Sequence, residues 1–167
     1  MITQVTETTD VVDHVLGEWA RAYPDLDMSP VGILGRVQRI ASVTSARLDR
    51  NLEVHGITRS EFDVLGALVR ADRPLRASEV VFTTMLSGAS VTKISDSLSR
   101  RGLLERHKSE RDGRVVLLTP TDAGRALVDR ELPRRLDDDR QVLDGLDDAE
   151  RAALTTLLRK VSLSLGE

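Results

Sequence analysis

Residues 87–119, SGASVTKISDSLSRRGLLERHKSERDGRVVLLT, decide the fold. Val91, Ile94 and Leu98 recur at spacings of three and four, which predicts a helix with those three side chains on one buried stripe. The remaining faces carry Ser90, Lys93, Ser97 and Arg101 as donors or small groups open to a partner. Gly102 supplies the residue that tolerates positive φ and so stops the helix. Residues 103–107 then read as a strand, 110–114 as a turn with the strong Asp-Gly signal at 112–113, and 115–118 as a returning strand. A helix followed at once by a basic-tipped two-stranded ribbon is the pattern of a winged helix-turn-helix, and it predicts a DNA-binding regulator.

The charge is distributed to match. The formal net charge of −3 argues against nucleic acid only if it is spread evenly. It is not: residues 93–114 hold seven Lys or Arg against four acids, whereas residues 129–150 hold four Arg against nine acids. One face is built to meet phosphate and the far end is not. With one Trp, one Tyr and two Phe the chain lacks the aromatic surface of a cofactor sandwich or of a single-strand binder, so no cofactor is expected. There is no cysteine, hence no disulfide and no thiolate ligand or nucleophile. His14, His55 and His107 are too scattered for a metal site. No apolar run approaches a membrane span and no signal-like start is present, so a cytoplasmic location without membrane contact is expected.

Outward from this stretch the chain reads as mainly α with a small β-wing. Residues 10–23 predict a short helix with Val11, Val15 and Trp19 on one stripe, closed by Pro24. A longer helix is predicted from residue 31 to about 54. Thr58 and Glu61 form a capping-box pattern ahead of Phe62, Leu65 and Leu68. Together with short helices at 78–84 and 88–101 this completes a tri-helical core. Thr119, Pro120 and Thr121 predict the start of the next helix, with Thr119 as its cap, and Pro133 is expected to bend or interrupt it. Asp147 and Glu150 predict a last helix carrying Leu154, Leu157, Leu158, Val161 and Leu165. So apolar a terminal helix implies a subunit interface in preference to internal packing. The expected organisation is residues 1–56 as N-terminal dimerisation helices bordering a ligand pocket, 57–119 as the winged domain, and 120–167 as C-terminal dimerisation helices.

The segments ITRSEFDVLGAL (57–68), SVTKISDSLSRRGLLER (90–106) and ERDGRVVLLTPTDAG (110–124) occur in an order and spacing that resemble the MarR family of winged-helix transcriptional regulators. The family's wing pattern, Asp-x-Arg before Leu-Thr-x-x-Gly, corresponds to Asp112 and Arg114, then Leu118, Thr119 and Gly124. The resemblance implies a homodimer with intertwined terminal helices, a palindromic double-stranded operator, and release by a small anionic or aromatic effector. A softer likeness to the family's urate-responsive subgroup rests on Trp19, the linker at 24–27 and Phe62-Asp63. There it implies an effector site lined by Trp19 and Asp63. The Arg that completes the subgroup's set falls at Ile94, and the ribbon from Arg114 to Thr119 is about two residues shorter than usual, which implies a stubby wing.

Arg114 is the expected wing contact, entering the minor groove or forking onto phosphate. Arg111 is a second phosphate ligand, and Asp112 is expected to pair with Arg114 or a neighbouring Arg and so shape the tip. On the recognition helix Ser87, Ser90, Thr92, Lys93 and Ser97 are the candidate contacts, with Ser90 and Lys93 placed to reach base edges. Arg101 and Arg106 are expected to touch phosphate or orient the wing. Arg36 and Arg39 are candidate anion partners in an effector site with Trp19 and Asp63. For Trp19 the ordinary alternative is a core or interface aromatic.

No nucleophile elbow, phosphate-binding loop or dinucleotide fingerprint is present, and the chain is not expected to be an enzyme. The competing reading is a winged-helix adaptor or anti-repressor that binds protein and not an operator.

Overall fold

The computed structural model describes residues 9–109, 112 and 115–166. These pack as two units, residues 1–50 and 51–167.

In the first unit α1 (Val11–Ala22) starts on a capping box in which Asp10 accepts from Val12 and Asp13 amides and Asp13 answers to the Asp10 amide. A linker leads to α2 (Ser29–Glu53), which Pro30 can open because the first turn needs no amide donor there. Within the unit, Gly32 and Gly35 of α2 lie against Leu16 and Val12 of α1. Arg36 reaches both Asp10 (2.9 Å) and Asp13 (2.6 Å). Along the same helix Ile33, Leu34, Val37, Ile40 and Val43 are exposed.

The second unit begins with the last residues of α2, where Leu52 is buried. It continues through α3 (Arg59–Ala71), β1 (Leu75–Arg76), α4 (Ala77–Thr84), α5 (Gly88–Arg100), β2 (Leu104–Lys108), β3 (Val116–Pro120), α6 (Asp122–Val142) and α7 (Asp148–Leu163). Its core is apolar and centred on α3, where Phe62, Val64, Leu65 and Leu68 are buried against Leu75, Val80, Val91, Leu98, Leu104 and Leu118 of the surrounding elements. The fold is mainly helical, as the sequence predicts, with one small antiparallel sheet.

That sheet departs from the expected two-stranded ribbon. β1 adds a third strand in the order β1-β3-β2, pairing Leu75 with Leu118 and Arg76 with Leu117. The hairpin ladder runs from Leu104 opposite Pro120 to Lys108 opposite Val116. Two residues are too few to show a strand's alternation in sequence. Pro120 therefore ends a strand and does not open a helix; at the end of a strand its missing N–H is tolerated. The true cap of α6 is Thr121, two residues beyond the expected Thr119.

Thr121 joins three elements. Its hydroxyl accepts from the Gly124 amide (3.1 Å) and donates to the Gly102 carbonyl (2.7 Å), so the start of α6 is pinned to the turn after α5. Thr121→Ala removes both bonds and is expected to lose about 1–2 kcal/mol. Urea denaturation should show a lower midpoint at unchanged slope; an unchanged midpoint would mean that the cap carries no stability.

Pro133 does not interrupt α6, which is continuous from Asp122 to Val142. Both Pro133 and Asp129, whose carbonyl it leaves without a donor, lie on the exposed side where water can serve. On α7 no residue is buried within the chain. Among the described residues no helix is long and apolar enough to cross a membrane, and no cluster of His, Asp or Glu is placed to hold a metal ion.

Candidate nucleic-acid interface

α5 is held by its apolar side and finished cleanly at both ends. Ser87 is its cap, accepting from the Ser90 amide (3.2 Å), and the two hydroxyls lie 2.8 Å apart. At the far end Gly102 takes φ +70°. Its amide bonds the Ser99 carbonyl (3.0 Å) and the Leu103 amide bonds the Leu98 carbonyl (2.9 Å), the paired bonds of a Schellman turn. Val91 and Leu98 are fully buried, as the spacing predicts. The third buried position is Ser95 and not Ile94, which is only half-buried. Burying Ser95 is tolerable because its hydroxyl donates to the Val91 carbonyl at 2.7 Å.

This rotation sorts the candidate contacts. Ser87, Thr92 and Lys93 are exposed and Ser90 is half-exposed, all in the first half of the helix. The Thr92 hydroxyl donates to the Gly88 carbonyl (3.0 Å), which leaves its lone pairs and methyl outward. Lys93 forms no ion pair with any described residue. Four groups from the first turns of α5 thus lie off its buried stripe, around a helix N-terminus whose backbone field favours an anion.

Ser97 and Arg101 are engaged by groups of the chain itself. Ser97 Oγ donates to Glu61 Oε1 (2.9 Å), Arg101 Nη1 to Glu61 Oε2 (3.2 Å), and Arg101 Nη2 to the Gly56 carbonyl (2.7 Å). Arg106 on β2 pairs with Asp96 on α5. These contacts orient the second half of the helix and the base of the wing. Asp112 is exposed. Arg111 and Arg114 lie outside the described residues.

Glu61 is the group that the sequence undersells. As the third residue of α3 it completes the Thr58 capping box, yet it is 7% exposed. Burial pushes its carboxyl up, but the Thr58 amide, the Ser97 hydroxyl and the Arg101 guanidinium outweigh burial and hold it below the ordinary glutamate value. Glu131 on α6 is similar. Burial raises it, and the Arg130 hydrogen bond with the charges of His55 and Arg134 brings it below the usual value. Each combines local partners with a distant one that the sequence does not mark: Ser97 and Arg101 for Glu61, and His55 for Glu131.

The four effector candidates are distributed over both units. Trp19, Arg36 and Arg39 belong to the first. Trp19 is 45% exposed and its ring lies 5.6 Å from that of Tyr23. Arg36 is held by Asp10 and Asp13, and Arg39 is exposed. Asp63 belongs to the second unit, where Arg135 (3.6 Å) and Arg59 (3.8 Å) flank it.

Three helices, a three-stranded antiparallel sheet and an exposed first half of the third helix define a winged helix-turn-helix protein. Comparison with known proteins narrows this. A profile of the MarR family matches residues 55–115. BpsR of Bordetella bronchiseptica, whose DNA binding is regulated by 6-hydroxynicotinic acid, superposes with a TM-score of 0.70 at 32% identity, covering 78% of this chain and 92% of that one. The transcriptional regulator PecS of Dickeya dadantii is 29% identical over 156 residues, 92% of this chain and 94% of its own. MepR of S. aureus in complex with DNA shares the fold, with a TM-score of 0.69 at 21% identity over 77% of this chain and 93% of that one. The chain belongs to the MarR family of transcriptional regulators.

Proposed function

We propose that the protein is a homodimeric repressor that occupies a palindromic operator and leaves it when a small anionic or aromatic compound binds. The observation that carries this reading is the open first half of α5, where Ser87, Ser90, Thr92 and Lys93 lie off the buried stripe around a helix N-terminus. Two such helices, one per subunit, would enter successive major grooves roughly 34 Å apart. Lys93 suits guanine O6 or N7, and Ser90 and Thr92 suit either a donor or an acceptor edge. The wing, through Arg111 and Arg114, would add minor-groove or phosphate contacts.

Dimerisation is supported by the apolar residues that α2 and α7 leave uncovered within one chain. Effector control is supported by the likeness to BpsR, and 6-hydroxynicotinic acid, an aromatic anion, is the first compound to try. Release needs only that the compound favour a dimer conformation whose helix spacing no longer fits the operator.

Footprinting on DNA flanking the protein's own gene tests the core of this reading. A protected palindrome is expected, with affinity falling steeply between low and moderate salt as phosphate counterions are displaced. Lys93→Ala is expected to weaken that site by about ten-fold and to relax its sequence preference at one position per half-site. Affinity indifferent to salt, or protection without any sequence preference, would rule the reading out.

A further inference from the structure

The Glu61 carboxylate receives more donors than a helix cap requires. Its oxygens take the Thr58 amide (3.0 Å) and hydroxyl (3.2 Å) from its own helix start, then Ser97 Oγ (2.9 Å) and Arg101 Nη1 (3.2 Å) from α5. Capping boxes also close α1, α4 and α7 with Asp13, Glu79 and Glu150, yet of these four acids only Glu61 is buried. Burying a carboxylate is costly unless donors meet it, and here three reach Oε2 and one reaches Oε1. The arrangement also sets complementary helix ends against one another: an acid at the start of α3 and an arginine at the end of α5. Arg101 carries the grip one step further, to the carbonyl of Gly56, whose φ of +63° shapes the turn before α3.

What this adds to apolar packing is direction. Val91 and Leu98 hold α5 down, but dispersion contacts tolerate small rotations of a helix about its own axis. Two hydrogen bonds on one side of α5, four residues apart, do not. A small rotation moves Ser90 and Lys93 relative to base edges, and base readout depends on tight hydrogen-bond geometry.

We propose that Glu61 is a positioning residue for DNA reading: by gripping Ser97 and Arg101 it fixes the rotation of α5 and so determines which groups of the helix's first half meet the bases. Glu61 itself touches no DNA, and Arg101 serves the grip and not a phosphate. The inference rests on the operator-binding reading above.

The test measures the full chain on its footprinted operator and on a scrambled duplex, across a salt series. Glu61→Gln, Arg101→Gln and the double variant are compared with wild type. Gln keeps the size of the carboxylate but removes the charge that Arg101 pairs with, and it replaces one of the two accepting oxygens by an amide N–H₂. Each single variant is expected to lose about ten-fold in operator affinity while binding to the scrambled duplex shifts less than two-fold. The double variant is expected to be no worse than either single one, because both remove the same contact. The slope of log affinity against log salt is expected to stay put.

If Arg101 instead neutralised a phosphate, Arg101→Gln would flatten that slope by about one and Glu61→Gln would leave affinity intact or raise it. Either result overturns the proposal, as do additive losses in the double variant. Ser97→Ala removes a single 2.9 Å bond and guards against a folding failure in the Glu61 variant. It should lose about three-fold on the operator with little change on scrambled DNA, and equal losses on both would overturn the proposal. Failure of wild type to prefer the operator over scrambled DNA would instead strike the operator-binding reading, a different and separately visible result.

Discussion

Gly124→Ala is expected to melt roughly 6–12 °C below the wild type, a loss of about 3 kcal/mol. Gly124 lies in the first turn of α6, where helix propensity alone favours alanine by about 1 kcal/mol. Sterics decide against it. A Cβ at this position would stand 2.0 Å from the Leu103 carbonyl oxygen and 3.1 Å from its carbon, with Leu65 Cδ2 at 3.3 Å. The nearest obstacle is backbone, and it is fixed: the Leu103 carbonyl accepts from the Thr121 amide (3.2 Å) and the Leu103 amide closes the end of α5. Relief therefore requires α6 to lift away from the α5–β2 turn, which opens the core around Leu65. Gly66→Ala on α3 is the matched control. Nothing lies within 4 Å of its added methyl, so propensity should prevail and the variant should gain about 0.5–1 kcal/mol. Differential scanning calorimetry of both variants checks the pair. A drop for Gly124→Ala no larger than the gain for Gly66→Ala, or a stabilised Gly124→Ala, would show that α6 does not approach Leu103 as closely as this.

The same junction shows which features are written locally in a sequence and which are not. Helix starts at Asp10, Thr58, Ser87 and Asp147 are local: each is a short side chain bonding an amide two or three residues ahead, and each is legible. At 119–122 three eligible capping residues compete, and the choice of Thr121 falls to the sheet, which draws residues up to Pro120 into pairing with Leu104. Register on α5 is likewise decided from outside. The sequence offers Ile94 and Ser95 as neighbours, and packing against α3 and α4 buries the serine because a back-bonded hydroxyl is acceptable there. Glu61 could be read as a cap but not as a clamp, since Ser97 and Arg101 are 36 and 40 residues away. The sequence leaves Arg106 open to a phosphate role, and Asp96, ten residues earlier in the chain, pairs with it instead. The open first half of α5 follows from the buried Val91 and Leu98, which leave Ser90 and Lys93 off the stripe, whereas Ser97 and Arg101, left open by the same spacing, are engaged by Glu61.

On the reading proposed above, Leu157→Glu combined with Val161→Glu is expected to convert the proposed dimer into a monomer and to reduce operator affinity by about 10²–10⁴-fold. In α7, Leu154, Leu157, Leu158 and Val161 stand at spacings of three and four, so they form one stripe, and each is 38–61% exposed. An exposed leucine by itself needs no explanation. A whole helix with no residue buried does, because α7 contributes nothing to its own subunit's core that would offset the ordering of its backbone. Covering the stripe with its counterpart in a second chain supplies that burial at about 25 cal/mol per Å² of apolar surface. Two glutamates place charges in the middle of the stripe, where desolvation would be prohibitive, while keeping good helix formers at both positions. Since neither side chain is buried in the isolated chain, helicity by circular dichroism should be retained. Sedimentation velocity reads the oligomeric state, and a titration on the operator reads the lost advantage of a second, tethered recognition helix. Should the double variant still sediment as a dimer with full affinity, α7 is not the interface, and the uncovered residues Ile33, Val37 and Ile40 on α2 become the place to seek it.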